Sequence, residues 1–241
     1  MPKPLIILGT GPHARELAEI VERINAVEKT WELLGFVAER VWRPGRVLDG
    51  WRVLGTEKDL ERFPDASVIP DSEWWQLDDI PRERFASIVD PSCFVSRTAR
   101  IGRGCVIFPG GYIGHGARLD DFVFCLGGCI VNHDCVLEER VILTSGVILA
   151  GHVHVEAGSY LGQGCNVRQT LRIGRKSLVG MGSVVVKDVP PGSVVVGSPA
   201  RVLSDENDMF RSGSGMAQGE FRRTQLGRIG QGHRFSPGRR A

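Results

Sequence analysis

The sequence is poor in aromatic residues: 2 Tyr, 5 Trp and 10 Phe stand against 31 Gly. That excludes a core built on stacked rings and points to aliphatic packing with many tight turns. No run of 18 apolar residues occurs, so no membrane-crossing helix is expected. Net charge is only +2, which leaves no basic field to hold nucleic acid. Residues 204–241 alone carry seven Arg and four acids, a balance of +3, so the rest of the chain stands at −1. The six cysteines include no Cys-x-x-Cys pair. The opening "MPKPLIILGTG" holds an apolar run of four residues before a glycine turn, so it reads as a first strand rather than a secretory leader.

What is present falls into two textures. Residues 1–87 read as a small βαβ, Rossmann-like domain with a parallel sheet. "PLIILGTG" predicts a strand, and "HARELAEIVERI" a helix with apolar spacing at Leu17, Ile20, Val21 and Ile24. "ELLGFVA", "WRVLG" and "SVIP" predict further strands, and "TEKDLERF" a short helix capped by its threonine. All five tryptophans (31, 42, 51, 74 and 75) lie in this half.

From residue 88 to 203 the pattern has a period of six. Every sixth position from Val89 through Ile101, Ile113, Val131, Leu149 and Leu161 to Val185 is apolar, seventeen in a row. The residue four later is nearly always small, as at Ala99, Cys105, Ala117, Cys129 and Cys165. Six is neither a helical nor a strand period. It predicts a short strand and a turn, repeated so that three hexads close one triangular coil of a parallel β-helix. Seventeen hexads make five to six coils, and the double proline in "DVPPGS" is expected to end the regular ladder. Residues 204–241, rich in Gly, Ser, Arg and Gln, are expected to form a disordered basic tail.

In this register the cysteines fall at inward positions and act as small core groups, which fits a reducing, cytoplasmic setting. His133 and Asp134 of "CIVNHDCVLEE" fall at the third and fourth positions of their hexad and turn outward. Residues 18 apart stack. His115, His133 and Gly151 therefore share one column, and Asp134 and His152 share the next. A neutral imidazole is a good general base near neutral pH, and a carboxylate beside it fixes its tautomer. Gly151 leaves a backbone amide open to a developing oxyanion. "GTGPHA", Gly9 to Ala14, is a loose GxGxxA between strand and helix. It fits a sugar-nucleotide diphosphate, a dinucleotide, or simply a tight turn.

The hexads "IGRGCV", "IGHGAR", "LGQGCN" and "IGRKSL" resemble those of the left-handed β-helix acyltransferases. Together with "ILGTGPHARELAEIV", "NHDCVLEERVILTSGVILAGHVHV" and "GSPAR", the chain over residues 4–203 resembles a narrower family. This is the sialic acid O-acetyltransferase-like group of sugar acyltransferases, which includes nucleotide-amino-sugar N-acetyltransferases of bacterial surface glycan pathways, such as O-antigen polysaccharide biosynthesis.

The resemblance implies a cytoplasmic homotrimer with acetyl-CoA lying between adjacent β-helices and no bound metal. It implies His133 as the base with Asp134 beside it, and acetyl-CoA contacts at Gly151, Gly180 and Met181. A nucleotide-linked amino sugar would meet Gly9, Gly11, Pro12, His13, Glu39 and His115, with Asn132 and His152 in support. Arg168, Arg172, Arg175, Lys176, Lys187 and Arg201 are candidates for coenzyme A phosphates. The sequence also departs from the family. Its usual aspartate pair after the second strand is reduced to Glu39 in "GFVAER", which opens the site to a base such as guanine. An expected Asn is Leu126 and an expected second His is Ile142, so His115 and His152 are candidates to replace them. Three rivals stand beside N-acetyl transfer: sugar O-acetylation, a zinc lyase resembling the gamma carbonic anhydrases with His115 and His133 as ligands, and a non-catalytic trimeric scaffold that senses a sugar nucleotide.

Overall fold

The computed structural model describes residues 1–38, 45–72 and 79–203, of which Met1–Leu203 form one compact unit. Glu39, Trp42, Trp74, Trp75 and residues 204–241 lie outside the described residues, and with them the expectation for the tail.

The N-terminal layer follows the expected order: β1 (Lys3–Leu8), α1 (Pro12–Val27), β2 (Trp31–Ala38), β3 (Val47–Leu48), β4 (Trp51–Thr56) and β5 (Ser67–Pro70). The sheet order is β3-β4-β2-β1-β5. All pairs are parallel except β3 with β4, an edge ribbon that the sequence pattern did not announce. The short helix over Glu57–Arg62 is a 3-10 helix, and Thr56 N–H donates to Asp59 Oδ2 at 2.8 Å at its start. Leu5 to Leu8 of β1 are fully buried because strands pair on both sides and α1 covers one face. Pro12 opens α1 at a position that needs no amide, and Leu17, Ala18, Ile20 and Val21 form its buried stripe. Asn25 pins the turn that follows: its Oδ1 accepts from Thr30 and Trp31 N–H, and its Nδ2 donates to Trp31 O.

The β-helix begins at Ile88–Val89. Seventeen two-residue strands run to Val184–Val185, each ending on the inward apolar residue of its hexad, an aliphatic in all but Phe124–Cys125. Partners are 18 residues apart, as in Tyr112↔Ile130 and Val136↔His154, and every rung is parallel. The prism is left-handed. Its interior is a single cluster of aliphatics and thiols, including fully buried Ile113, Val131, Leu137, Leu149 and Leu161. A Cβ at Gly102, Gly114, Gly162 or Gly174 would stand 2.4–2.8 Å from backbone atoms of the next coil, so only glycine lets the rungs close there. Five of the cysteines are fully buried, Cys93 is partly so, and all six are free. Burial pushes the thiols of Cys105, Cys129 and Cys165 up to about 12, which keeps them protonated and inert.

The three outer faces differ. The first presents Ile88, Val106, Phe124 and Ile142, which join Leu17, Ile20, Val21 and Ile24 of α1 in one apolar cluster. Each such side chain contributes about 2 kcal/mol when fully buried, so this seam holds the two layers together. Arg23 of α1 adds a two-pronged hydrogen bond to the buried Asp90 carboxylate, at 2.6 and 3.0 Å. The second face presents Phe94, Tyr112, Ile130 and Ile148, and the rings of Phe94 and Tyr112 stack at 4.9 Å in the open. The third presents Arg100, Arg118, His154 and Arg172.

The expectation that pairing ends at the double proline is corrected. Val194–Gly197 pairs parallel with Leu178–Val179 and then folds back antiparallel on Ala200–Val202. The prolines sit in a turn where no ladder donor is required. The Pro190 carbonyl accepts there from Ser177 Oγ and Ser193 N–H, so the rung resumes beyond them.

Candidate active site

The corner between the second and third faces collects the residues that the coil arithmetic grouped. Its backbone is laddered: Asp134 N–H donates to His115 O at 2.8 Å, His152 N–H to His133 O at 3.0 Å, and Thr170 N–H to Gly151 O at 3.0 Å. These bonds stack Gly116, Asp134, His152 and Thr170 in one column and His115, His133 and Gly151 in the other. Most fourth positions adopt the left-handed backbone. Glycine fills many of them, but Asp134 has φ 56° and His152 φ 59°. Asp and His tolerate this region better than most residues, at some cost in strain.

Side chains then close on one another. His133 Nδ1 lies 3.0 Å from Asp134 Oδ2, and His152 Nε2 lies 3.8 Å from the same oxygen. The rings of His133 and His152 meet edge to face, 5.0 Å apart at 88°. The donor atoms of His133, Asp134 and His152 all fall within 4.8 Å of one another, and all three residues are exposed. The hydrogen bond from His133 holds the Asp134 carboxyl below the usual carboxylate range, aided by the charges of His152, His133 and His115 and opposed by a little burial. With Nδ1 turned to a carboxylate, His133 keeps its proton there and leaves Nε2 free as an acceptor.

Gly151 completes the corner. A Cβ there would stand 2.5 Å from His133 Cε1 and Nε2, so the ring lies directly over this glycine. Its carbonyl is taken by Thr170, while its amide meets no acceptor among the described residues. The site therefore offers a base and a free N–H side by side, which is the requirement for attack on a carbonyl.

Two residues that sequence reasoning missed support this corner. Thr98 Oγ1 contacts His115 Nδ1 at 2.9 Å and accepts from Gly116 N–H at 3.0 Å. Gly116 makes room for the carboxylate, because a Cβ there would stand 2.4 Å from Asp134 Oδ1. The same 18-residue step points to both, since Gly116 is 18 before Asp134 and Thr98 is 18 before Gly116. Asn132 turns away from the corner: its Nδ2 donates to Leu149 O at 2.7 Å.

The other expected residues lie elsewhere. Gly180 and Met181 belong to the corner between the first and second faces. There Gly180 N–H is bonded to Val195 O and Met181 is exposed. Gly9, Gly11, Pro12 and His13 form the turn from β1 into α1, with Gly11 at the helix N-cap. Gly9 has φ +122° and packs so closely on Asp71 that a Cβ would stand 2.1 Å from its carboxylate. His13 Nδ1 bonds Ser72 Oγ at 2.7 Å, and its ring lies about 6 Å from Phe108 and Phe124 of the covered face. This turn sits at the C-terminal ends of β1 and β5, where the strand order reverses and open α/β sheets bind ligands. Ile142 is buried in the seam and Leu126 packs against it, so neither faces the His133 corner. Of the basic candidates, Arg172 and Arg175 are engaged by the Glu156 carboxylate.

No protein-family model matches the chain. It is 38% identical over 87 residues to the acyl-[acyl-carrier-protein]–UDP-N-acetylglucosamine O-acyltransferase of Synechocystis, covering 36% of this chain and 32% of that protein. The match to that curated relative thus spans about a third of its length. Solved structures match far more of the fold. The acetyltransferase domain of PglB from Neisseria gonorrhoeae superposes with a TM-score of 0.73 at 26% identity, over 83% of this chain and 100% of that domain. The GDP-perosamine N-acetyltransferase of Caulobacter crescentus, solved with CoA and GDP-perosamine, gives 0.75 at 25% identity over 84% and 97%. These likenesses run through both the N-terminal layer and the prism. The chain shares the hexapeptide-repeat, left-handed β-helix fold of these sugar N-acetyltransferases and is similar to them over most of its length.

Proposed function

We propose that the protein transfers an acetyl group from acetyl-CoA to the amino group of a nucleotide-linked amino sugar. The observation that carries this reading is the His133–Asp134 pair, whose free Nε2 lies over Gly151 beside an open amide. In the proposed step the amine nitrogen attacks the thioester carbonyl while His133 Nε2 takes its proton. Negative charge develops on the carbonyl oxygen and is met by Gly151 N–H. The C–S bond then breaks, coenzyme A departs as thiolate, and the imidazolium returns a proton to it. Asp134 keeps the His133 proton on Nδ1 and stabilises the imidazolium formed in between. No acyl-enzyme is needed.

The Gly9–His13 turn and the catalytic corner lie toward opposite edges of the apolar second face. A second copy seated on Phe94, Tyr112, Ile130 and Ile148 would bring the nucleotide-sugar turn of one chain to the His133 corner of another. This supports the homotrimer with shared sites and gives the exposed rings a partner. Guanine is the first base to try: Glu39 alone follows β2, and one solved relative holds GDP-perosamine. The setting that fits is the cytoplasm, in supply of a surface glycan.

The test is a thiol-release assay with acetyl-CoA and a panel of GDP-, UDP- and dTDP-linked amino sugars and their hydroxyl counterparts. An amine acceptor is expected to turn over, and His133→Ala to lower kcat roughly a thousandfold while the fold persists. Turnover only with hydroxyl sugars would replace N- by O-acetylation. Activity that tracks stoichiometric zinc and is lost on chelation would favour the lyase reading, and an unimpaired His133→Ala would remove the base.

A further inference from the structure

We propose that His152 is a positioning residue for this reaction: from the next coil it holds the His133 ring in place over Gly151. The inference rests on the acetyl-transfer reading for its kinetic consequence, but not for its physical one.

Two contacts from one side chain carry it. The His152 ring stands edge to face on the His133 ring at 5.0 Å, and its Nε2 faces Asp134 Oδ2 at 3.8 Å. The second distance is too long for a hydrogen bond and short enough for an ion pair. Asp134 Oδ2 is therefore shared: His133 Nδ1 takes it directly, and His152 biases it electrostatically. The Asp134 carboxyl sits below its ordinary range, and the His152 charge is the second largest of the influences that lower it, after the His133 hydrogen bond. The position of His152 is imposed by the ladder, because its N–H is bonded to His133 O at 3.0 Å. Its backbone is left-handed, a conformation for which glycine, as at Gly116 two coils down the same column, is the relaxed choice. The ionisable groups facing it are Asp134 and His133, with His115 acting on the same carboxylate from the coil before.

The chemistry follows from orientation: the His133 ring is exposed and is held from two sides, by Asp134 at Nδ1 and by the His152 ring across its edge. The ring contact restricts His133 to the orientation that places Nε2 over Gly151.

The test compares wild type with His152→Phe, which keeps a ring without nitrogen, and His152→Ala, which removes both contacts. The seat of the His133 ring, with signals assigned through His133→Gln, is read without any substrate by NMR as the contact between its ring protons and the Gly151 α-protons. In His152→Ala that contact is expected to weaken and kcat to fall roughly five- to tenfold, with the KM for acetyl-CoA within about twofold, while His152→Phe retains the contact and most of kcat. An undiminished contact in His152→Ala would overturn the proposal, as would full kcat in that variant. Should His133→Ala keep its activity, the acetyl-transfer base falls instead, and the ring contact still reads the packing of the two histidines.

Discussion

Two histidine–carboxylate pairs stand on the same prism, and their surroundings differ. On the third face, His154 Nε2 meets Glu138 Oε1 at 2.7 Å, a shorter contact than the 3.0 Å between His133 and Asp134. Yet the His154 pair is closed. Its Nδ1 faces an Arg172 nitrogen at 3.2 Å, Glu138 Oε2 accepts from Ala157 N–H at 3.0 Å, and Arg172 is itself held by Glu156. Both ring nitrogens are used, so no proton can be passed to a ligand. At the corner one nitrogen is tied and the other is open above a glycine. The lesson is that a short His–acid distance marks a strut as readily as a base. What separates them is whether the second nitrogen and a neighbouring amide remain available.

Three substitutions probe that contrast, from the largest effect down. Gly151→Ala pushes a methyl into the His133 ring, which swings aside because it is exposed. Acetyl transfer is expected to fall about a hundredfold with an unchanged melting temperature, read by steady-state kinetics beside thermal unfolding. If activity survives, the ring does not work from above Gly151. Asp134→Asn removes the charge but keeps the shape. A loss of about tenfold in kcat is expected in the same assay, because the imidazolium formed during the step loses its counter-charge.

Glu138→Gln on the third face should leave kcat within about twofold and cost roughly 1 kcal/mol of stability. Burial pushes the Glu138 carboxyl up, but the Ala157 amide, the His154 hydrogen bond and the charges of His154 and Arg175 outweigh it and hold it below its usual range. Its contribution is therefore present above the unfolded-state carboxylate pKa and is lost as pH falls through the depressed folded value. Chemical denaturation of wild type and variant should converge in that acidic window. A variant that loses activity but not stability would reverse the roles assigned to the two pairs.

Much of this was legible before any coordinates. A six-residue period makes each residue's environment a matter of counting, since every hexad meets the same neighbours 18 residues away. That is why Leu149 and Cys165 could be placed inside, and His133, Asp134 and His152 outside and together. The same counting contained Gly116 and Thr98, but they carry no charge or ring to draw notice. The N-terminal layer has no such repeat. Its strands and helix were readable from local pattern, while the edge ribbon β3 and the closing hairpin beyond Pro191 depend on pairings without a period.

The amino-acid sequence by itself determined the coil, its register and the columns at each corner, because these follow from local geometry repeated seventeen times. Only the tertiary structure decided which of three nearly equivalent faces the helix α1 covers. That choice rests on contacts such as Arg23 to Asp90, 67 residues apart, and on apolar groups that match one face alone. It also decided which histidine keeps a nitrogen free. The inventory of His133 and His154 is the same, an imidazole beside an acid. What closes one and opens the other is an arginine one coil above His154 and a glycine one coil above His133.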